Sequence, residues 1–121
     1  MAENRFTVGP NPGVDWIGIS GKKYFYQIEM LPFSCHESFV GNYILAKLMD
    51  GKYYPVYIGE GVLDDRINDD DHFRCATAKG ATLVFLHLNS LEENRKREER
   101  DLLAGNPESY APIGCNQTRH G

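Results

Sequence analysis

Residues 41–59 read Gly41-Asn42-Tyr43-Ile44-Leu45-Ala46-Lys47-Leu48-Met49-Asp50-Gly51-Lys52-Tyr53-Tyr54-Pro55-Val56-Tyr57-Ile58-Gly59. Apolar and aromatic residues run up to Asp50-Gly51 and away from it again, which predicts two short strands around a tight turn. A tyrosine near a glycine marks each outer end. Side chains alternate along a strand, so the register decides whether Tyr43 and Tyr57 share a face. A two-residue Asp50-Gly51 loop pairs Met49 with Lys52 and sends the tyrosines to opposite faces. A three-residue loop, with Gly51 left-handed, pairs Leu48 with Lys52 and sets Tyr43 directly opposite Tyr57. A bulge near Pro55 would also bring them to one face. Two facing phenols suit a site; they also suit an ordinary cross-strand aromatic pair.

The chain of 121 residues, 41% hydrophobic and 25% charged, fits one compact domain. No run of about 18 apolar residues exists, which excludes a membrane-spanning helix. Residues 1–5 lead into no apolar stretch, so no signal peptide is expected. Cys35, Cys75 and Cys115 cannot all pair within the chain and fit a reducing compartment, so a cytoplasmic protein is expected. The net charge of −4 weighs against a general nucleic-acid binder but not against a site with local basic residues.

Residues 1–15, with Pro10 and Pro12, read as an extended arm. Two strands follow, over 16–20 and 23–31, joined at Gly21-Lys22. Tyr24, Phe25 and Tyr26 offer a stacking platform for bases, but covering core and sheet edge explains them better. Cys35-His36 with Cys75 and Cys115 could hold zinc, although no close C-x-x-C pair supports it. A short helix is expected over 61–68. The acidic run from Glu60 to Asp71, ending at His72, reads as solvated surface, with a cation site as the alternative. Residues 82–88 are apolar on both faces, hence a central strand, with His87 a hydrogen-bonded core residue. Ser90 and Glu93 form a capping box that starts a long charged helix ending near Gly105. Leu91, Arg95, Glu98, Glu99, Leu102 and Leu103 share one side of it. A carboxylate on that packed side needs a partner or a metal.

Taken in order, these features make segment 41–116 resemble the GIY-YIG nuclease domain. Gly41-Asn42-Tyr43 stands at the first motif, with Asn42 where an apolar residue is usual. Tyr57-Ile58-Gly59 matches the second motif in full. Arg66 follows on the next helix, Glu99 on a later one with Leu102 and Leu103 after it, and Asn116 near the end.

The resemblance implies a mixed α/β (α+β) fold: a small antiparallel central sheet flanked by helices, with an added N-terminal strand pair over 1–40, the nuclease-like domain over 41–116 and a tail over 117–121. It implies a metal-dependent endonuclease hydrolysing DNA phosphodiester bonds. Glu99 would bind Mg²⁺ or Mn²⁺, with Glu98 as runner-up, and Arg66 would contact the scissile phosphate. Tyr43 would orient or deprotonate water, Tyr57 would share the water or hold the phosphate, His72 would relay a proton, and Asn116 would brace the site. DNA is the expected substrate. Specificity would come from the arm, the first hairpin, the insertion within 104–116, a homodimer or a targeting partner protein. The alternative is a non-catalytic module of the same fold that binds nucleic acid or a protein.

Overall fold

A computed structural model describes residues 12–117; the arm before Pro12 and the tail beyond Gln117 lie outside the described residues. The hairpin forms as strands β3 (Val40–Met49) and β4 (Lys52–Val62). Its turn is the two-residue one. Met49 pairs with Lys52, and Asp50 and Gly51 take φ of 53° and 76°, the pair of left-handed residues that a type I′ turn requires. That register alone would separate the tyrosines. The ladder slips between Leu45 and Ala46, whose partners are Tyr57 and Pro55, so Val56 is the extra residue of a bulge beside Pro55. Beyond it Tyr43 pairs with Gly59 and Leu45 with Tyr57. The tyrosines therefore share a face as diagonal neighbours, not as the directly opposed pair of the three-residue loop, with ring centroids 6.0 Å apart.

The other strands are β1 (Gly13–Ile17), β2 (Lys23–Met30) and β5 (Leu83–Leu88). They form one antiparallel sheet in the order β1-β2-β5-β3-β4. β5 is central, as its two-sided apolarity predicts. β1 starts at Gly13, which pairs with Gln27, instead of Trp16, and ends at Ile17 because Gly18–Lys22 closes a turn through Gly21 N–H to Gly18 O at 2.9 Å. In β2, Tyr24 and Tyr26 point inward and are buried while Phe25 is exposed, the alternation of a strand that covers core.

Helices cover both faces, giving a mixed α+β fold. Along β3, Tyr43 and Leu45 pack with Leu63 and Ile67 of α1 (Leu63–Ile67) and Ala76 of α2 (Asp70–Ala78). Ile44 and Ala46 pack on the other face with Trp16, Tyr26, Phe85 and Leu102 of α3 (Glu92–Gly105). The expected helix over 61–68 is α1. The acidic run then continues into α2, with Asp65, Asp70 and Asp71 exposed as a solvated surface requires. Asp69 is its N-cap, accepting from His72 N–H at 3.2 Å, and Asp70 and Asp71 lie in its first turn, where carboxylates complement the helix dipole.

The capping box at Ser90 does not form. Leu91 is the N-cap of α3 and no side chain caps it. The Ser90 carbonyl accepts from Arg95 Nη1 at 3.0 Å instead. Leu91, expected on the packed stripe, is 61% exposed. Leu102 is the one apolar residue of α3 that is fully buried, so polar contacts dock this helix. Asn42 Nδ2, from the buried interior of β3, donates to Arg95 O at 2.9 Å. Asp101 accepts from Ser20 N–H at 3.0 Å, Ser20 Oγ at 2.7 Å and the Tyr24 hydroxyl at 2.7 Å.

Cys75 of α2 and Cys115 are joined as a disulfide, with Cys35 outside it. This corrects the expectation of three reduced thiols. It removes two of the four ligands of the zinc reading, and with them the cysteine argument for a cytoplasmic home, since disulfides persist in oxidising settings. No helix among the described residues is long and apolar enough to cross a membrane. The bridge closes a sequence separation of 40 residues. Loop-closure entropy then predicts that reduction lowers the unfolding free energy by about 4 kcal/mol. Guanidinium melts with and without a phosphine reductant would measure this, and an unchanged midpoint would contradict it.

Candidate active site

Tyr43, Tyr57, Arg66 and Glu99 come from four elements and lie close enough that both phenols feel the charges of Arg66 and Glu99. Tyr43 crosses the backbone of its partner Gly59, where an added Cβ would lie 2.6 Å from the phenol oxygen. Gly59 therefore provides the space that Tyr43 fills. One pleat further, Gly61 does the same for Arg66. Its φ is +134°, and a Cβ there would fall 2.9 Å from Arg66 Nε. Tyr57 is stacked on its outer side by His72 of α2, ring centroids 4.3 Å apart.

Asn116 acts on backbone and reaches no reacting group. Its Oδ1 accepts from Ile58 N–H and its Nδ2 donates to Ile58 O, both at 2.9 Å. Cys115 N–H donates to Val56 O at 2.8 Å. One strand-like segment thus saturates the outer edge of β4 on both sides of Tyr57. Asn116 thus braces the β4 backbone beside Tyr57.

The four groups are electrostatically coupled. Burial pushes the Tyr43 phenol well above its ordinary range, Tyr57 and Glu99 raise it further, and Arg66 opposes them. Burial also raises Tyr57, with Glu99 adding to the shift and Arg66 opposing it. The interaction between the two phenols raises Tyr43 and lowers Tyr57. The Glu99 carboxyl is raised by burial and then by Glu60, against Lys96, Arg66 and Arg100.

The adjacent carboxylates of α3 have opposite fates. Glu98 is buried and accepts from the Tyr26 hydroxyl at 2.5 Å, and its Oε2 lies 2.8 Å from His87 Nδ1. Its bonding capacity is used inside the fold. Glu99 is half-buried and makes no hydrogen bond or ion pair among the described residues. Arg66 is likewise without an ion pair among the described residues, despite its acidic surroundings. Those acids serve elsewhere. Glu60 is held by Arg95 at 2.9 Å and Lys96 at 3.3 Å, and Asp64 accepts from Cys35 N–H at 3.0 Å. Asp69 caps α2. His72 Nδ1 is buried with no hydrogen-bond partner and lies 3.6 Å from Asp69.

Among the described residues no three or more His, Cys, Asp or Glu side chains converge as a metal-binding group. The acidic run with His72, for which a cation site was the alternative to a solvated surface, supplies no such group among the described residues. A single half-buried carboxylate without an internal partner still fits Mg²⁺, which commonly takes one or two protein carboxylates and completes its shell with water and substrate oxygens. Sequence reasoning missed Gly61, Asn42 and Val56 as parts of this constellation. The positive φ of Gly61 and the bulge at Val56 are set by long-range packing, whereas Asn42 in an apolar strand was a visible signal of a buried polar contact.

The chain matches no family model, no curated protein and no solved structure.

Ionised Glu99 destabilises the fold. Its folded pKa lies above its unfolded value, so the cost is absent below the unfolded pKa and grows as pH rises through the folded one. Glu99→Gln is expected to raise Tm at pH 7, with the gain vanishing near pH 4. Glu98→Gln is expected to lower stability by about 1–3 kcal/mol, because the Tyr26 and His87 bonds weaken. Thermal melts of both variants across pH test this contrast; equal effects would contradict it.

Proposed function

We propose that this chain is a metal-dependent endonuclease of the GIY-YIG type, hydrolysing DNA phosphodiester bonds. The observation that carries the proposal is the meeting of two coupled phenols with a guanidinium and a carboxylate that the fold leaves unpaired. Glu99 is half-buried, and a half-buried charge without an internal partner costs stability, for which function is the usual reason; Arg66 is exposed and free to meet a ligand. The motif order in the sequence supports the same reading.

In hydrolysis, a water oxygen bonds to phosphorus as the bond to the sugar oxygen breaks, one water proton leaves, and the departing oxygen takes a proton. Arg66 would clamp the phosphate oxygens with its planar fork, stabilising charge that grows in the transition state. Glu99 would hold Mg²⁺ or Mn²⁺, which when bound polarises a phosphoryl oxygen and lowers the pKa of water. Tyr43 and Tyr57 rest as neutral phenols. Tyr43 and Tyr57, tilted side by side, would orient the attacking water. The water proton would leave to solvent, since neutral phenols can orient the water but have no vacancy for its proton. His72, stacked on Tyr57, would pass a proton toward the leaving oxygen.

Supercoiled plasmid with Mg²⁺ or Mn²⁺ tests the proposal. Wild type is expected to nick it. Arg66→Ala and Glu99→Gln should each lose about 10²–10³-fold in rate while remaining folded. If wild type leaves supercoiled, branched and single-stranded DNA intact, the alternative of a non-catalytic binding module takes its place.

A further inference from the structure

On the other side of α3 from Glu99, a cleft of about 400 Å³ opens between the β1–β2 turn, the end of β5 and the helix. His87 stands in its wall. The imidazole is held on one side only: Nδ1 lies 2.8 Å from Glu98 Oε2, and the ring packs edge-on against Tyr26 at 5.4 Å. Glu98 is in turn fixed by the Tyr26 hydroxyl. A carboxylate at Nδ1 sets the tautomer and aims Nε2 the other way. Nε2 has no partner among the described residues, and the side chain is 34% exposed.

The mouth of this cleft is cationic in a chain of net charge −4. Lys22, Lys23 and Arg97 line it. Lys22 Nζ lies over the Tyr24 ring, 5.4 Å from its centroid, and Arg97 acts on the same phenol electrostatically. Lys22 and Lys23 make no ion pair among the described residues. Arg97 has only Glu93 at 3.9 Å, between two exposed side chains, a contact worth little. Glu98, which also lines the cleft, is engaged by Tyr26 and His87, and Asp101, which feels the charge of Lys22, is engaged by Ser20 and Tyr24.

We propose that this cleft is a phosphate-binding site, in which Lys22, Lys23 and Arg97 neutralise the anion and His87 Nε2 fixes one of its oxygens. Arginine suits phosphate through its forked donors, lysine as a point charge. The imidazole donates from Nε2 when both ring nitrogens carry protons. Phosphate from a small phosphorylated molecule and phosphate from a nucleic-acid backbone present the same chemistry here. The site lies apart from Glu99 and Arg66 and does not depend on the nuclease reading.

The test is a titration of isotopically labelled protein with inorganic phosphate and, separately, with a short single-stranded oligodeoxynucleotide, both without divalent metal. Shifts are expected at His87, Lys22 and Arg97. Affinity should fall at least tenfold in the surface variant Lys22→Ala/Arg97→Ala, and also in His87→Gln, but stay unchanged in Arg74→Ala, an exposed cation of α2 outside the cleft. Binding of phosphate alone identifies a small phosphorylated ligand, and tighter oligonucleotide binding identifies a backbone; either supports the site. If neither ligand shifts His87, or the double variant binds as wild type does, the proposal is overturned.

Discussion

The bulge at Val56 sets which face of the sheet Tyr57 occupies, and the candidate site depends on it. A type I′ turn at Asp50-Gly51 imposes a register in which the two tyrosines diverge. One extra residue in β4 reverses that for every position beyond it, because the side-chain period of a strand is two. Tyr43 then lies over Gly59 and Tyr57 beside His72. The edge strand that carries the bulge is secured from outside: Cys115 and Asn116 bond Val56 and Ile58, and the disulfide ties that segment to α2, which carries His72. One bracket therefore holds Tyr57 from its backbone and from its ring face.

The same economy governs α3. A helix with one fully buried apolar residue cannot dock by hydrophobic area, so it docks through Asn42, Asp101 and Glu98. These bonds fix its rotation. Glu98 turns to Tyr26 and His87, and Glu99, about 100° further round the helix, turns to the tyrosines and Arg66. Buried polar contacts that are fully satisfied specify geometry more than they add stability. Here they separate two chemically identical neighbours into a structural group and a group left available.

Much of this was legible in the sequence where the signal is local. Asp50-Gly51 announces the turn, 82–88 announces a central strand, and the stripe on α3 announces a carboxylate that must be accommodated. The ambiguous points are those decided by distant partners. Pro55 hinted at a bulge but could not locate it. Ser90 and Glu93 satisfy a capping pattern, yet Arg95 takes the Ser90 carbonyl and the helix starts past Leu91. Asp65, Asp70 and Asp71 are solvated as the run suggests, whereas the uses of Asp64, an anchor for Cys35, and of Asp69, a cap for α2, depend on partners that the charge pattern does not show. Sequence spacing alone cannot pair Cys75 with Cys115 or choose Glu99 over Glu98, since Tyr26 and His87 come from other strands.

The central claim is that Arg66 and Glu99 act as one unit on a phosphodiester. A double-mutant cycle on DNA cleavage tests it most directly. The account predicts that wild type cleaves with Mg²⁺ or Mn²⁺ and that Arg66→Ala/Glu99→Gln loses no more rate than the worse single variant. Absence of cleavage by wild type, or losses that multiply as for independent residues, would contradict it.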